Sequence, residues 1–174
     1  ENTHRIRNHI QALCDSSPGH MAVFTPSYSM LHEYIGEGQF SGVVTRMEDR
    51  TWSKKDVDQL LDLMEDAKNA GRRILLAGVF GGRLSEGIDY HNGILDAVAC
   101  IGIPNPPPSI HQKALRTYIE ERFGRANAWR YASTQPAINS ILQAMGRPIR
   151  SIADRALVLL LDKRNTDRTY LECF

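Results

Sequence analysis

Apolar positions along the chain follow two rhythms. Five runs are short and unbroken, at residues 21–24, 42–45, 73–77, 97–103 and 156–161. Such runs suit strands covered on both faces, where neither side of the pleat meets water. Between them the spacing turns helical. Val57, Leu60, Leu61 and Met64 recur three and four apart behind a Ser53-x-x-Asp56 capping box, and Gly71 supplies a stop. A second helical stretch covers about residues 109–123. A third begins near Pro136, a residue suited to a first turn, and carries Ile138, Ile141, Leu142 and Met145.

Strands separated by helices predict an α/β fold: a mainly parallel sheet with helices on both faces and functional loops beyond the carboxyl ends of the strands. Residues 1–20 read as a loosely attached helix and linker, and residues 21–174 as one domain. The Asn105-Pro-Pro-Pro108 run follows a strand and reads as a stiff connector.

Composition narrows the function classes. The 174 residues suffice for one real core, and 24% charged residues is ordinary for a globular protein. A formal net charge of +1 provides no bulk field, so contact with nucleic acid must come from local clusters. The three cysteines, Cys14, Cys100 and Cys173, are scattered and lack metal-ligand spacing, which points to reduced thiols inside a cell. His4 with His9, or His91 with Cys100, make poor ligand pairs, and no metal site is expected. No run is long enough to span a bilayer and no signal peptide opens the chain, so no membrane partner is expected. The first residue, Glu1, suggests a piece excised from a longer protein, although processing would look the same. A monomer is the default.

The chemistry concentrates in two segments. Gln143-Ala-Met-Gly-Arg147-Pro-Ile-Arg150 closes the third helix, with Gln143 and Arg147 on the side opposite its apolar stripe. Pro148 cannot continue the helix, which therefore ends at Gly146 or Arg147 with both guanidinium groups at its edge. A planar guanidinium offers two parallel donors to phosphate oxygens and keeps its charge at any working pH. A solvated arginine face at the negative end of a helix is the plainer alternative.

The second segment, Gly81-Gly82-Arg83-Leu84-Ser85-Glu86-Gly87-Ile88-Asp89, directly follows the third strand. Its glycines let a ligand approach the main chain. Arg83 and Ser85 suit a phosphodiester, and Asp89 suits a ribose hydroxyl. Two alternatives stand beside this: a tight loop whose carboxylates cap amides, and a Glu86–Asp89 acid/base pair of a hydrolase. After the first strand, Thr25-Pro-Ser27-Tyr28-Ser29 either meets a nucleic-acid backbone through Ser27 and Tyr28 or simply caps a helix. Lys54-Lys55 and Arg72-Arg73 read as solvated faces. No Gly-x-x-x-x-Gly-Lys-Ser/Thr phosphate loop is present, so neither segment hydrolyses a nucleotide alone.

Together these segments resemble the second, RecA-like motor domain of the XPD group of superfamily 2 DNA helicases. Residues 24–28, 82–90, 102–104, 143–150 and the Asp162-Lys-Arg164 ending carry the resemblance, in order, over most of the chain. It implies a RecA-like domain of the P-loop NTPase type, working against a first RecA-like domain of the same protein with ATP and Mg²⁺ between them. It further implies single-stranded DNA across the top, 5′-to-3′ translocation, duplex unwinding in DNA repair, and an iron-sulfur cluster only in the missing N-terminal part. Residue by residue, Gln143, Arg147 and Arg150 match the motif that senses the γ-phosphate. Glu86, Gly87 and Asp89 match the nucleotide loop, and Ser27 and Tyr28 the DNA path. Repair proteins are the implied partners, with nucleoid-associated cytoplasm or nucleus as the place of action. A non-catalytic RecA-like scaffold and a DinG-like helicase domain are the competing readings.

Overall fold

A computed structural model describes residues 2–90 and 93–173. All five apolar runs are strands: β1 (His20–Thr25), β2 (Val44–Met47), β3 (Ile74–Val79), β4 (Leu95–Ile101) and β5 (Leu157–Leu161). They form one sheet in the order β2-β3-β1-β4-β5, and every pairing is parallel. The fold is the α/β one expected, a parallel sheet with helices on both faces. Because the strands share a direction, the turns after all five leave from one rim.

Helices lie on both faces. On one side α3 (Lys54–Asn69) and α6 (Gln135–Met145) bury Val57, Leu60, Met64, Ile138 and Ile141 against Ala22, Phe24, Leu76, Val98 and Cys100. On the other, α1 (Asn2–Ser16) and the short α2 (Tyr28–Leu31) pack Ile10, Leu13, Cys14 and Leu31 against Met21, Val23, Leu75, Ala77 and Ala99. Alternate strand residues thus feed the two cores. The Ser53–Asp56 capping box is formed in both directions, and α3 closes with Gly71 N–H and Arg72 N–H donating to Lys68 and Ala67 carbonyls. Ser109 caps α4 (Ile110–Phe123), and Pro136 sits in the first turn of α6.

Four expectations need correction. Residues 2–16 are not a loosely attached linker. Ile10 and Cys14 are fully buried, and Arg73 donates to the Cys14, Ser17 and Gly42 carbonyls, so it closes the end of α1 instead of lying on a solvated face. The second strand runs two residues later than its apolar run. The last strand lies at the sheet edge and is only partly covered: Val158 and Leu160 pack on one core and Leu159 and Leu161 on the other, but Leu157 is 47% exposed. Unpredicted are α5 (Arg125–Trp129) and a wide π-type turn at Arg130–Thr134, which precede α6 in a stretch with no apolar stripe. Another π-type turn at His32–Gly36 and a small α7 (Arg168–Leu171) complete the elements.

One buried histidine ties the sheet to α3. Ile74 N–H donates to His20 Nδ1 at 2.9 Å, which leaves the ring proton on Nε2 to donate to Met64 O at 2.8 Å. Burial holds this ring below its ordinary value. The folded state therefore resists protonation while the unfolded chain accepts it. Stability should be full above about pH 6.5 and fall as the pH drops below it. Urea unfolding at pH 7.5 and 5.5 should show this loss in the natural chain and a smaller one in His20→Gln. Equal losses would clear His20 of the role.

Candidate functional site

The site is built from the glycine loop after β3 and the turn after α6. The loop folds on itself first. Gly82 O accepts from Ser85 N–H and Glu86 N–H, Leu84 is buried, and the Tyr90 hydroxyl donates to Leu84 O at 2.8 Å. Burial raises that phenol far above its usual value. The loop leaves the rim at Phe80, whose N–H donates to Thr25 O, and carries Ile88 and Asp89 to the end of α6.

There the two arginines meet it. Arg147 Nη1 donates to Ile88 O at 3.1 Å, and Arg150 Nη2 donates to the same oxygen at 3.3 Å. Arg150 also pairs with Asp89 at 2.8 Å, with both side chains substantially exposed. Arg147 Nε is buried and has no acceptor among the described residues. Pro148 does not splay the pair; it is buried inside the turn closed by Ile149 N–H on Gly146 O. Two fixed cations and a carboxylate thus lie within one side chain's reach, at the negative end of α6. The set suits a polyanion bearing a sugar.

Asp154, absent from the sequence motifs, holds Arg150 from behind. Its carboxylate accepts from Arg150 N–H and Ser151 N–H, each at 2.7 Å, and from the Ser151 hydroxyl at 2.9 Å. The Arg150 amide first, then the Ser151 donors, keep its carboxyl below the usual carboxylate range. Its Ser-x-x-Asp spacing after the second arginine was the available signal.

The remaining expected residues divide. Gln143 is exposed one turn before Arg147. Glu86, Gly87 and Asp89 are exposed along a cleft of about 590 Å³ between the loop and the first turns of α3, lined also by Arg83, Lys54 and Asp58. Neither carboxylate has the desolvated setting that an acid/base pair needs. Ser85 is 1% exposed and donates to Gly82 O, so its hydroxyl shapes the loop and meets no strand from this position. Ser27 caps α2 by accepting from Met30 N–H. Tyr28 stays at the rim, its ring 4.5 Å from the Arg50 guanidinium and its hydroxyl on Glu48. Burial, and then the Glu48 carboxylate, raise that phenol. Glu48 was missed; a lone acid after a strand carries no motif.

At the rim beyond β5, Asp162 holds Arg164 through two bonds at 3.0 and 2.6 Å, and that pairing lowers the Asp162 carboxyl. His91 lies outside the described residues. Among those described, no group of three or more His, Cys, Asp or Glu is placed to hold a metal, and no helix is long and apolar enough to cross a membrane.

Comparison with known proteins gives the family and the fold. The family model described as the helicase C-terminal domain matches residues 10–174. The chain is 29% identical over 160 residues to the ATP-dependent DNA helicase chl-1 of Caenorhabditis elegans, covering 89% of this chain and 19% of the relative. It is 34% identical over 110 residues to the ATP-dependent DNA helicase XPD of Sulfolobus acidocaldarius, covering 62% of this chain and 20% of the relative. A solved XPD helicase superposes with a TM-score of 0.77 at 28% identity, over 98% of this chain and 30% of that one. The chain therefore spans about a fifth of the length of the curated relatives it matches.

Proposed function

We propose that this chain, which belongs to the helicase C-terminal domain family, works as the second motor domain of an ATP-dependent DNA helicase. The observation that carries the reading is the convergence of Arg147 and Arg150 on the Ile88–Asp89 corner of the glycine loop. The named activity of the relatives supplies the substrates: ATP and DNA.

In this reading the Arg150–Asp89 pair is the resting arrangement of two ligand-binding groups. An exposed ion pair contributes only about 0–1 kcal/mol, so it exchanges readily for better partners. Arg150 turns to phosphate oxygens as a bidentate donor, and Asp89 is freed to accept from a ribose hydroxyl. Arg147, with Nε already unmatched, adds a second fork, and Gln143 stands one turn back to orient the group between them. Glu86 and Gly87 form the loop's outer wall. The other wall, with a phosphate loop, belongs to the first motor domain. Mg²⁺ would enter with ATP and be held jointly by the two motor domains, whereas Cys14, Cys100 and Cys173 are too scattered to ligate an iron-sulfur cluster, which would sit in the N-terminal part of the complete protein; no step runs through either. Tyr28, Ser27 and Arg83 take the DNA side, where aromatic faces and cations suit a single strand. Movement is 5′ to 3′, the work is duplex opening in repair beside other repair proteins, and the place is the nucleoid or nucleus.

The chain alone should bind ATP weakly and hydrolyse none, with or without single-stranded DNA. Hydrolysis should appear only when it is joined to its first motor domain. DNA-stimulated phosphate release by the chain alone would sink the half-site reading.

A further inference from the structure

Glu48 stands one residue past β2, outside every motif, and is 3% exposed. A carboxylate buried this far needs several donors, and three separate segments supply them. Val79 N–H, at the end of β3, donates to Oε2 at 3.2 Å. Arg83 N–H, inside the glycine loop, donates to Oε1 at 2.6 Å. The Tyr28 hydroxyl, from the turn after β1, donates to that same Oε1 at 3.4 Å. The backbone is shaped around the group: a Cβ on Gly82 would lie 2.6 and 2.7 Å from its two oxygens, and one on Gly78 2.6 Å from Oε2.

The consequence is positional. The two amide bonds fix where the loop departs from β3 and how it first bends, and its later residues, Ile88 and Asp89, are the ones the arginines grip. One oxygen is thus shared between the nucleotide loop and the tyrosine of the DNA rim. The tyrosine bond is the longest of the three, so it is the one a ligand changes first. A strand that packs on the Tyr28 ring, or draws Arg50 from it to a phosphate, alters what Oε1 receives. Arg83 N–H then shares that oxygen on different terms.

We propose that Glu48 is a positioning residue that couples the Tyr28 rim to the nucleotide loop, and that it sets how strongly DNA stimulates ATP turnover. The proposal rests on the motor reading above. Its test uses the complete helicase and reads one ratio: ATP turnover with saturating oligothymidylate over turnover without it. Tyr28→Phe removes the hydroxyl and keeps the ring. Glu48→Gln exchanges one acceptor oxygen for a donor that opposes the loop amides. Each should lower the ratio about 5- to 10-fold, the scale of an ordinary coupling between sites. The double variant should fall no further than the stronger single one, because both break one link. A purely structural role would lower melting temperature and both turnovers together, leaving the ratio alone. An unchanged ratio in Tyr28→Phe, or losses that multiply in the double variant, overturns the coupling while the motor reading stands. A natural enzyme whose turnover ignores DNA overturns both. Should Glu48→Gln fail to fold, the Tyr28→Phe ratio decides.

Discussion

In the complete helicase, Arg150→Ala is expected to lower ATP turnover on single-stranded DNA by about 10³-fold or more, the scale of a guanidinium placed on a transferring phosphoryl group. The fold should survive. The side chain is 41% exposed and its partners are a backbone carbonyl and the still more exposed Asp89, so its removal strands no buried charge. Circular dichroism should find the melting temperature within a few degrees of the natural protein, while phosphate release collapses. Arg150→Lys should recover little, because a single ammonium keeps the charge but not the fork. Arg147→Ala is a less clean experiment: that side chain is partly buried and donates to Ile88 O, so its loss also removes a contact that holds the loop. Turnover unchanged in Arg150→Ala would return the arginine to the role of a solvated cation at a helix end.

What the sequence revealed depended on whether a physical constraint was local. The strands were readable because a parallel sheet covered on both faces demands unbroken apolar runs, which the buried stretches of β1, β3 and, beyond Asp96, β4 supply. β5 carried the same pattern yet is only partly covered, since it lies at the sheet edge. The cap of α3 was readable because a cap lies within four residues of what it satisfies. The attachment of α1 was not, because it depends on Arg73, 59 residues away from the Cys14 carbonyl it satisfies. Nor was the segment from α5 to the π-type turn, where Trp129 and Tyr131 face solvent and no apolar stripe forms.

The site divides along the same line. Residue types and spacing located both arginines and the acidic glycine loop, but the atom that joins them is the Ile88 carbonyl, which no side-chain pattern announces. The same is true of Glu48, whose three donors lie 20, 31 and 35 residues away. Ser85 shows the converse: a hydroxyl in a glycine-rich loop looks like a phosphate ligand until the loop's own carbonyl claims it.

Gly82→Ala is expected to cost the fold about 1–3 kcal/mol from overpacking alone. The new Cβ would lie 2.6 and 2.7 Å from the Glu48 oxygens and 2.8 Å from Val79 Cγ2. Neither neighbour yields freely, because the carboxylate is held by two amides and Val79 ends a buried strand. If the carboxylate is expelled, the Val79 and Arg83 amides lose their acceptor, and a buried amide so stranded costs about 1–3 kcal/mol more. At roughly 2–4 °C per kcal/mol for a chain of this size, the two costs together should lower the melting temperature by about 4–24 °C. Gly87→Ala is the control, since that glycine has φ +76° but nothing within 4 Å of an added Cβ. It should cost about 1–2 kcal/mol of backbone strain and only a few degrees. Thermal melts of the two variants therefore separate crowding against Glu48 from loop conformation. Equal shifts would mean that Glu48 is free to move, and that the loop is held at this corner by its own turn alone.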